Sequence, residues 1–320
     1  MNKLEILQKL KTSTGNTGSR LPGDMDFEIN KGALKISLHD DALLQNMQTD
    51  ISAFEAWSLI LKRWLPDIDK VVIQWEEPLL HFEKGASGQH YQRFLFRVLS
   101  FSKAFPWFSL DESNKHCIKQ LVTQRTGPFL LNAPSKDRSR NFDIVQALSD
   151  YSEGDLEEFI VSHDKTRSTF EKVFDLKILD NQLPVGLFRN EVSNTTKVFT
   201  GGKSAIDIWG INNRNEFCLF ELKNSRNNKV GALTEMFFYS SLIREVIKGR
   251  ISIEGGNADT KRIAGCERVN CYLLAPGNHP LIDDNVFRLF SENQLGIHYG
   301  DVRVEMHSQE MEFNIVPNEN

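Results

Sequence analysis

Two short apolar runs carry charges where an apolar strand tolerates them least. Ser204-Ala-Ile-Asp-Ile-Trp-Gly210 and Glu216-Phe-Cys-Leu-Phe-Glu-Leu-Lys-Asn224 set Asp207, Glu221 and Lys223 among isoleucine, tryptophan, phenylalanine and leucine. A charge in a buried strand is costly unless it is paired or bound to a metal. Two acids and one base in such runs therefore point to a polar site built into a hydrophobic sheet. Side chains alternate along a strand, so residues two apart share a face. Phe217, Leu219, Glu221 and Lys223 share one face, and Cys218, Phe220 and Leu222 the other. In the first run Asp207 lines up with Ala205 and Trp209, while Ile206 and Ile208 point away. The stretch 210–215, with its Asn-Asn-Arg-Asn run, predicts a tight connection. Such a hairpin brings Asp207 beside Glu221, with Lys223 next along the same face. Two close carboxylates repel unless a cation lies between them, and oxygen ligands suit a hard divalent ion such as magnesium.

An Asp, a short hairpin, a Glu-x-Lys strand and a following helix resemble the PD-(D/E)XK nuclease superfamily, of which this chain would be a bacterial-type member. Downstream, the predicted helix 230–247 carries Glu235-Met-Phe-Phe-Tyr239, similar to the Gln or Glu and Tyr four residues apart in several branches of that superfamily. Upstream, a helix predicted over 166–178 contains Glu171 and leads through 183–188 into an expected first strand. Asp175 or Glu191 could stand in for Glu171. The resemblance spans roughly residues 160 to 300, and Ile206 occupies the position of the name-giving proline. It implies metal-dependent phosphodiester hydrolysis. Asp207 and Glu221 would hold Mg2+ or Mn2+, with the backbone carbonyl of Leu222 completing the shell and Glu171 as an additional ligand. Lys223 would act on the attacking water and on charge developing at phosphorus. Glu235 and Tyr239, one helical turn apart, would face the site or the substrate backbone, with Lys229 and Arg244 as auxiliary substrate contacts. Read without the resemblance, a Glu-x-Lys on a strand is a solvated cross-strand ion pair, Glu171 a surface charge and Tyr239 a core aromatic.

The net charge of −5 argues against a broadly basic nucleic-acid binder. Basic residues do cluster locally: Lys136, Arg138 and Arg140 in one loop, then Arg226, Lys229, Arg244, Lys248 and Arg250 after the site, and Lys261-Arg262 beyond. These fit a phosphate-binding rim, and each reads equally as a solvated charge. Four cysteines form no disulfide framework. Cys266 and Cys271 are close, with His279 nearby, but no second pair follows at zinc-finger spacing, so reduced thiols are expected. No run of about 18 apolar residues is present, and the opening Met-Asn-Lys-Leu-Glu-Ile-Leu lacks a signal-peptide pattern. A cytoplasmic protein without membrane association is expected.

The sequence divides into residues 1–155, without a readable motif, and 156–320, the nuclease-like part. In the first, the pattern predicts a helix over 4–10, a loop over 13–23, a hairpin in 27–38 turning at Asn30-Lys-Gly32, a helix over 51–64, a strand over 71–75 and a helix over 92–105 with Arg93 and Arg97 four apart. Tryptophans 57, 64, 75 and 107 mark it as packed. A boundary region at 133–141 precedes a helical 142–148. In the second, a loop over 254–260, a strand over 269–274, a helix over 283–295 and a final strand over 296–306 predict alternating strand and helix. The expected class is α/β, a restriction-endonuclease-like mixed sheet flanked by helices, preceded by a mixed α+β domain for substrate or partner recognition. The expected activity is hydrolysis of nucleic acid, DNA foremost, in restriction, defence or repair, and a homodimer is compatible. The competing expectation is a catalytically inactive module of the same fold that binds nucleic acid or protein.

Overall fold

Among the described residues the chain builds three sheets, of six, four and three strands. The computed structural model describes residues 1–78, 86–118, 127–132, 151–199, 204–224, 229–307 and 310–316. The basic loop 135–140, the expected helix 142–148 and Arg226 lie outside the described residues. In chain order the elements are α1 (Lys3–Thr14), β1 (Met25–Asn30), β2 (Ala33–Leu38), α2 (Asp40–Leu44), α3 (Phe54–Trp64), β3 (Lys70–Trp75), α4 (Ala86–Ala104), β4 (Phe108–Leu110) and β5 (Phe129–Asn132). They continue as α5 (Glu153–Ser162), α6 (Asp164–Val173), β6 (Leu176–Pro184), β7 (Leu187–Arg189), β8 (Ala205–Asn212), β9 (Phe217–Leu222), α7 (Gly231–Ile247), β10 (Ile251–Glu254), α8 (Ala258–Arg262), β11 (Val269–Ala275), α9 (Asp284–Ser291), β12 (Ile297–His307) and β13 (Glu310–Ile315). The architecture is mixed α/β. Among the described residues no helix is long and apolar enough to cross a membrane.

Local chemistry accounts for most element ends. Asn2 caps α1 and Ser152 caps α5, each in a reciprocal capping box with an acid three residues on, Glu5 and Asp155. Asp283 caps α9 by accepting the Val286 N–H. The β1–β2 hairpin turns where expected, with Lys31 and Gly32 both at positive φ, as a two-residue hairpin turn requires. Helix α6 ends before the sequence pattern suggested. Phe174 closes it, Asp175 takes φ 54°, and Leu176 begins β6, so Ile178 lies in a strand rather than a helix. The first strand beside the site is accordingly β6. The stretch 183–188 is shared between the end of β6 and β7, which joins a different sheet.

The larger sheet has the order β13-β12-β11-β9-β8-β6. β6–β8 and β8–β9 pair antiparallel, β9–β11 and β11–β12 parallel, and β12–β13 antiparallel. Every residue of β9 is buried, as befits a central strand with parallel and antiparallel neighbours. Its two faces enter separate clusters. Phe217 and Leu219 pack with Trp209, α7 and the N-terminal elements, while Cys218, Phe220 and Leu222 pack with Phe159 of α5 and Phe170 of α6. That partition is the alternation read from the sequence.

The N-terminal elements form a four-stranded sheet, β1-β2-β3-β4, and β5 pairs with β7 and β10 in a third, three-stranded one. One buried cluster extends from Ile6 through α3 and α4 to α7, α9 and Tyr299, crossing residue 155 without a break. Phe101 of α4 and Phe105, just after its end, pack on Phe237 of α7, at ring-centroid distances of 5.0 and 6.4 Å. Arg97 of α4 donates to both oxygens of Glu55, and Thr234 of α7 donates to Glu55 as well. Trp64 and Arg63 of α3 reach Leu281 and Asp283.

A buried acidic pair at the end of the central hairpin

The β8–β9 ladder ends at Ile208 opposite Phe220. One further step of that register sets Asp207 opposite Glu221. There the strands part, and the Asp207 carboxylate replaces the missing ladder bond: Oδ2 accepts the backbone N–H of Leu222 at 3.1 Å. The Leu222 side chain belongs to the opposite face. Lys223 remains tied to the sheet through its N–H to the Leu274 carbonyl. Its side chain turns back on the site, where Nζ donates to Glu221 Oε1 at 2.5 Å and lies 3.1 Å from Glu235 Oε2.

Burial dominates the electrostatics. Glu221 and Glu235 are each 2 % exposed and Lys223 9 %, whereas Asp207 stays partly open to solvent. Burial pushes the Asp207 carboxyl up to about 7, against the downward pull of Lys223. Burial, and then the charge of Glu235, push Glu221 well above the carboxylate range. Burial alone would lower the Lys223 ammonium, but Glu221, Glu235 and Asp207 together hold it well above its ordinary value. One ammonium thus serves three carboxylates. Glu221 Oε2 is buried and has no hydrogen-bond partner, and such an oxygen costs about 1–3 kcal/mol or more.

Helix α7 supplies Glu235 and Tyr239 from one face. Tyr239 is buried, and burial together with the Glu235 and Glu221 charges raises its hydroxyl pKa well above the ordinary value. The helix start is pressed against residue 48: a Cβ at Gly231 would stand 2.4 Å from the Gln48 carbonyl. That close approach lets the Gln48 side chain donate to Glu235 Oε1 at 2.5 Å. Arg93 of α4 is buried near the same residues. Burial and Arg97 lower its guanidinium to about 10, and Tyr239 and Glu235 partly restore it.

The structure thus brings together Asp207, Glu221, Lys223, Glu235 and Tyr239, with Leu222 between them. It does not bring Glu171 or Arg244 to them. Glu171 is paired with Arg167 one turn earlier at 2.8 Å, and Arg244 donates to the Leu295 carbonyl. Of the alternatives to Glu171, Asp175 accepts from Asn213 in an exposed turn and Glu191 is exposed. Lys229 is exposed in the approach to α7. The acid that an upstream helix does direct toward the pair is Glu157 of α5, 4 % exposed. Burial and the Asp207 charge push it up to about 8, and Gln182 donates to its Oε2 at 2.7 Å. Glu153, one turn earlier, accepts the Asn224 N–H and adds its charge to Asp207 and Lys223. The sequence carried a signal for α5, a Ser152-x-x-Asp155 capping box ahead of an apolar Leu156-x-x-Phe159-Ile160 stripe. Gln48 and Arg93 carried none, because their approach to the site depends on packing between distant segments.

The donor set suits a hard cation: carboxylate oxygens, one of them buried without a partner, and carboxyls raised above their usual range by burial and by one another's charge. Compared with protein-family models, curated proteins and solved structures, the chain matches none.

Proposed function

We propose that the chain is a divalent-metal-dependent nuclease with a restriction-endonuclease-like core, hydrolysing phosphodiester bonds of nucleic acid, with DNA the first substrate to test. The observation that carries this reading is the partnerless Glu221 Oε2 beside Asp207 at the end of a central hairpin, with Lys223 bonded to the other Glu221 oxygen. The order α6-β6-β8-β9-α7-β11, with three antiparallel strands, a crossover helix and a parallel fourth, supports the core assignment.

Asp207 and Glu221 would hold Mg2+ or Mn2+, with the Leu222 carbonyl adjacent and Glu157 replacing Glu171 as the additional acid. The ion, when bound, would acidify a water and polarise the scissile phosphate. Lys223 would orient that water through its remaining N–H and offset negative charge growing on the phosphate oxygens. Glu235 holds the ammonium together with Glu221, and Gln48 holds Glu235. Burial of Glu221, Glu235 and Lys223 strengthens each electrostatic contact between them. Lys229 is exposed to a nucleic-acid backbone, whereas Arg244 is half-buried with its Nε–H on the Leu295 carbonyl.

The test is degradation of single- and double-stranded DNA and RNA by purified protein with magnesium or manganese, with Asp207→Ala as control. Metal-dependent cleavage that Asp207→Ala abolishes supports the proposal. No cleavage of any of the four substrates would overturn it and leave a non-catalytic binding module of the same fold.

A further inference from the structure

Far from the acidic pair in sequence, Glu77, His116 and Cys117 converge at one end of the N-terminal sheet. β3 and β4 run parallel, so the chain leaves both at the same sheet edge, where open parallel sheets commonly bind ligands. Glu77 stands two residues beyond β3, and His116 and Cys117 lie in the helical turn 115–118 that follows β4. Their ligand atoms all lie within 4.8 Å of one another. His116 Nε2 is 3.0 Å from Glu77 Oε2 and 3.5 Å from Cys117 Sγ.

The three side chains offer a carboxylate oxygen, an imidazole nitrogen and a sulfur within reach of one another, and all three can direct lone pairs at a single cation. The spacing fits such a centre. Tetrahedral zinc, with bonds of about 2.3 Å to sulfur and about 2.0–2.1 Å to nitrogen, separates those two ligands by about 3.5 Å. The sulfur also has support behind it. The Tyr91 hydroxyl and the Asn114 side chain are within hydrogen-bond reach of it. Tyr91 is itself held by the Trp75 indole N–H at 2.9 Å, and Asn114 by the Trp75 backbone. Outer hydrogen bonds of this kind orient a ligating group and tune its basicity. Cys117 is fully buried while His116 is exposed, so the cluster reaches from the interior to the surface.

We propose that Glu77, His116 and Cys117 form a zinc site with one open coordination position, separate from the Asp207–Glu221 pair. Binding converts the Cys117 thiol to a thiolate and releases its proton to solvent, so affinity rises with pH.

The experiment uses the full chain stripped of metal by a chelator and titrated with zinc against a chromophoric indicator. One equivalent should bind both to the wild type and to Asp207→Asn. His116→Ala and Cys117→Ser should each weaken binding by more than about 100-fold, and Tyr91→Phe by about 10–100-fold. Cobalt(II) should give a thiolate-to-metal charge-transfer band that Cys117→Ser removes. Should Cys117→Ser misfold by circular dichroism, His116→Ala and Glu77→Gln decide, since both side chains reach the surface. Absence of stoichiometric zinc, retention of full affinity in His116→Ala and Glu77→Gln, or a cobalt complex without the thiolate band overturns the site. Asp207→Asn keeps this outcome distinguishable from failure of the nuclease reading.

Discussion

Gln48 and Glu235 are 187 residues apart in sequence, and the amide of the first holds the carboxylate of the second at 2.5 Å. That carboxylate in turn lies 3.1 Å from Lys223 Nζ. The N-terminal half therefore holds a residue of the acidic site directly. Gln48→Ala should lower cleavage by about tenfold through loss of positioning. Glu235 loses one partner but keeps Lys223, so stability should change by no more than about 1–2 kcal/mol. Single-turnover kinetics together with urea unfolding separate the two effects. A variant with wild-type turnover would remove Gln48 from the site.

Lys223→Ala and Asp207→Ala should diverge in stability as well as in activity. Lys223 is the counter-charge for buried Glu221 and Glu235. Removing one partner of a buried ion pair costs about 3–5 kcal/mol, so metal-free Lys223→Ala should melt well below the wild type, and magnesium should recover part of the loss. Cleavage should fall by about 10²–10⁴-fold while metal binding persists. Asp207→Ala removes one of several like charges and should melt at or above the wild type without metal, while losing both cleavage and metal affinity. Differential scanning fluorimetry with and without magnesium reads both. Lys223→Ala that cleaves as well as wild type would sink its assigned role.

Stability of the metal-free protein should fall as pH rises through neutrality. Asp207 titrates near 7 and Glu157 near 8 in the fold, both above their ordinary values of 3.8 and 4.5. An acid with a raised folded-state pKa favours the fold fully below its unfolded pKa, and that favour is lost as pH climbs through the folded value. The melting temperature should therefore decline between about pH 4 and pH 8, by about 1.5 °C per kcal/mol for a chain of this length. Asp207→Asn should flatten part of the slope, and magnesium, which replaces the proton, should flatten it further. A metal-free wild type equally stable at both ends of that range contradicts the burial of these acids.

How far the site was legible follows from the range of the interactions that build it. Period-two alternation around Asp207, Glu221 and Lys223 is local, and both the faces of β9 and the hairpin register came out as the alternation required. The Lys31-Gly32 turn and the Asp283 cap are local too. Helix α6 was overextended because Leu176 and Ile178 continue a helical apolar spacing, and only the left-handed backbone at Asp175 breaks it. β5, β7 and β10 escaped notice because each spans three or four residues and gains its strand character from pairing with distant partners. Gln48 and Arg93 are the extreme case: polar residues with no local pattern, set beside the site by the packing of α4 and residue 48 on α7.

Glu157 and Glu171 offer a direct comparison, since they stand on consecutive helices and the Asp207 charge acts on Glu157 while Glu171 pairs with Arg167. Glu157→Gln should weaken metal affinity and reduce cleavage, and should lift the Asp207 carboxyl's burden of like charge, moving its titration downward. Glu171→Gln breaks only a partly exposed pair with Arg167, worth about 0.3–0.5 kcal/mol at that spacing, and should leave cleavage unchanged. Magnesium titration and cleavage rates of the two variants decide between them. Loss of activity in Glu171→Gln but not in Glu157→Gln would restore the original expectation.

The shared core makes a final prediction about folding. Phe237 of α7 packs against Phe101 of α4, Phe105 just after it and Phe290 of α9, so it belongs to both halves at once. Phe237→Ala removes a fully buried ring and should cost about 3–5 kcal/mol. If residues 1–155 and 156–320 were independent units, such a cavity would destabilise one and leave the other. Because a single cluster runs through α3, α4, α7 and α9, wild type and variant should each unfold in one cooperative transition, with the variant shifted as a whole. Urea unfolding followed by tryptophan fluorescence, dominated by Trp57, Trp64, Trp75 and Trp107 of the first half, should coincide with far-ultraviolet circular dichroism. Two separated transitions in Phe237→Ala, only one of them displaced, would show that the halves fold independently despite the contacts between them.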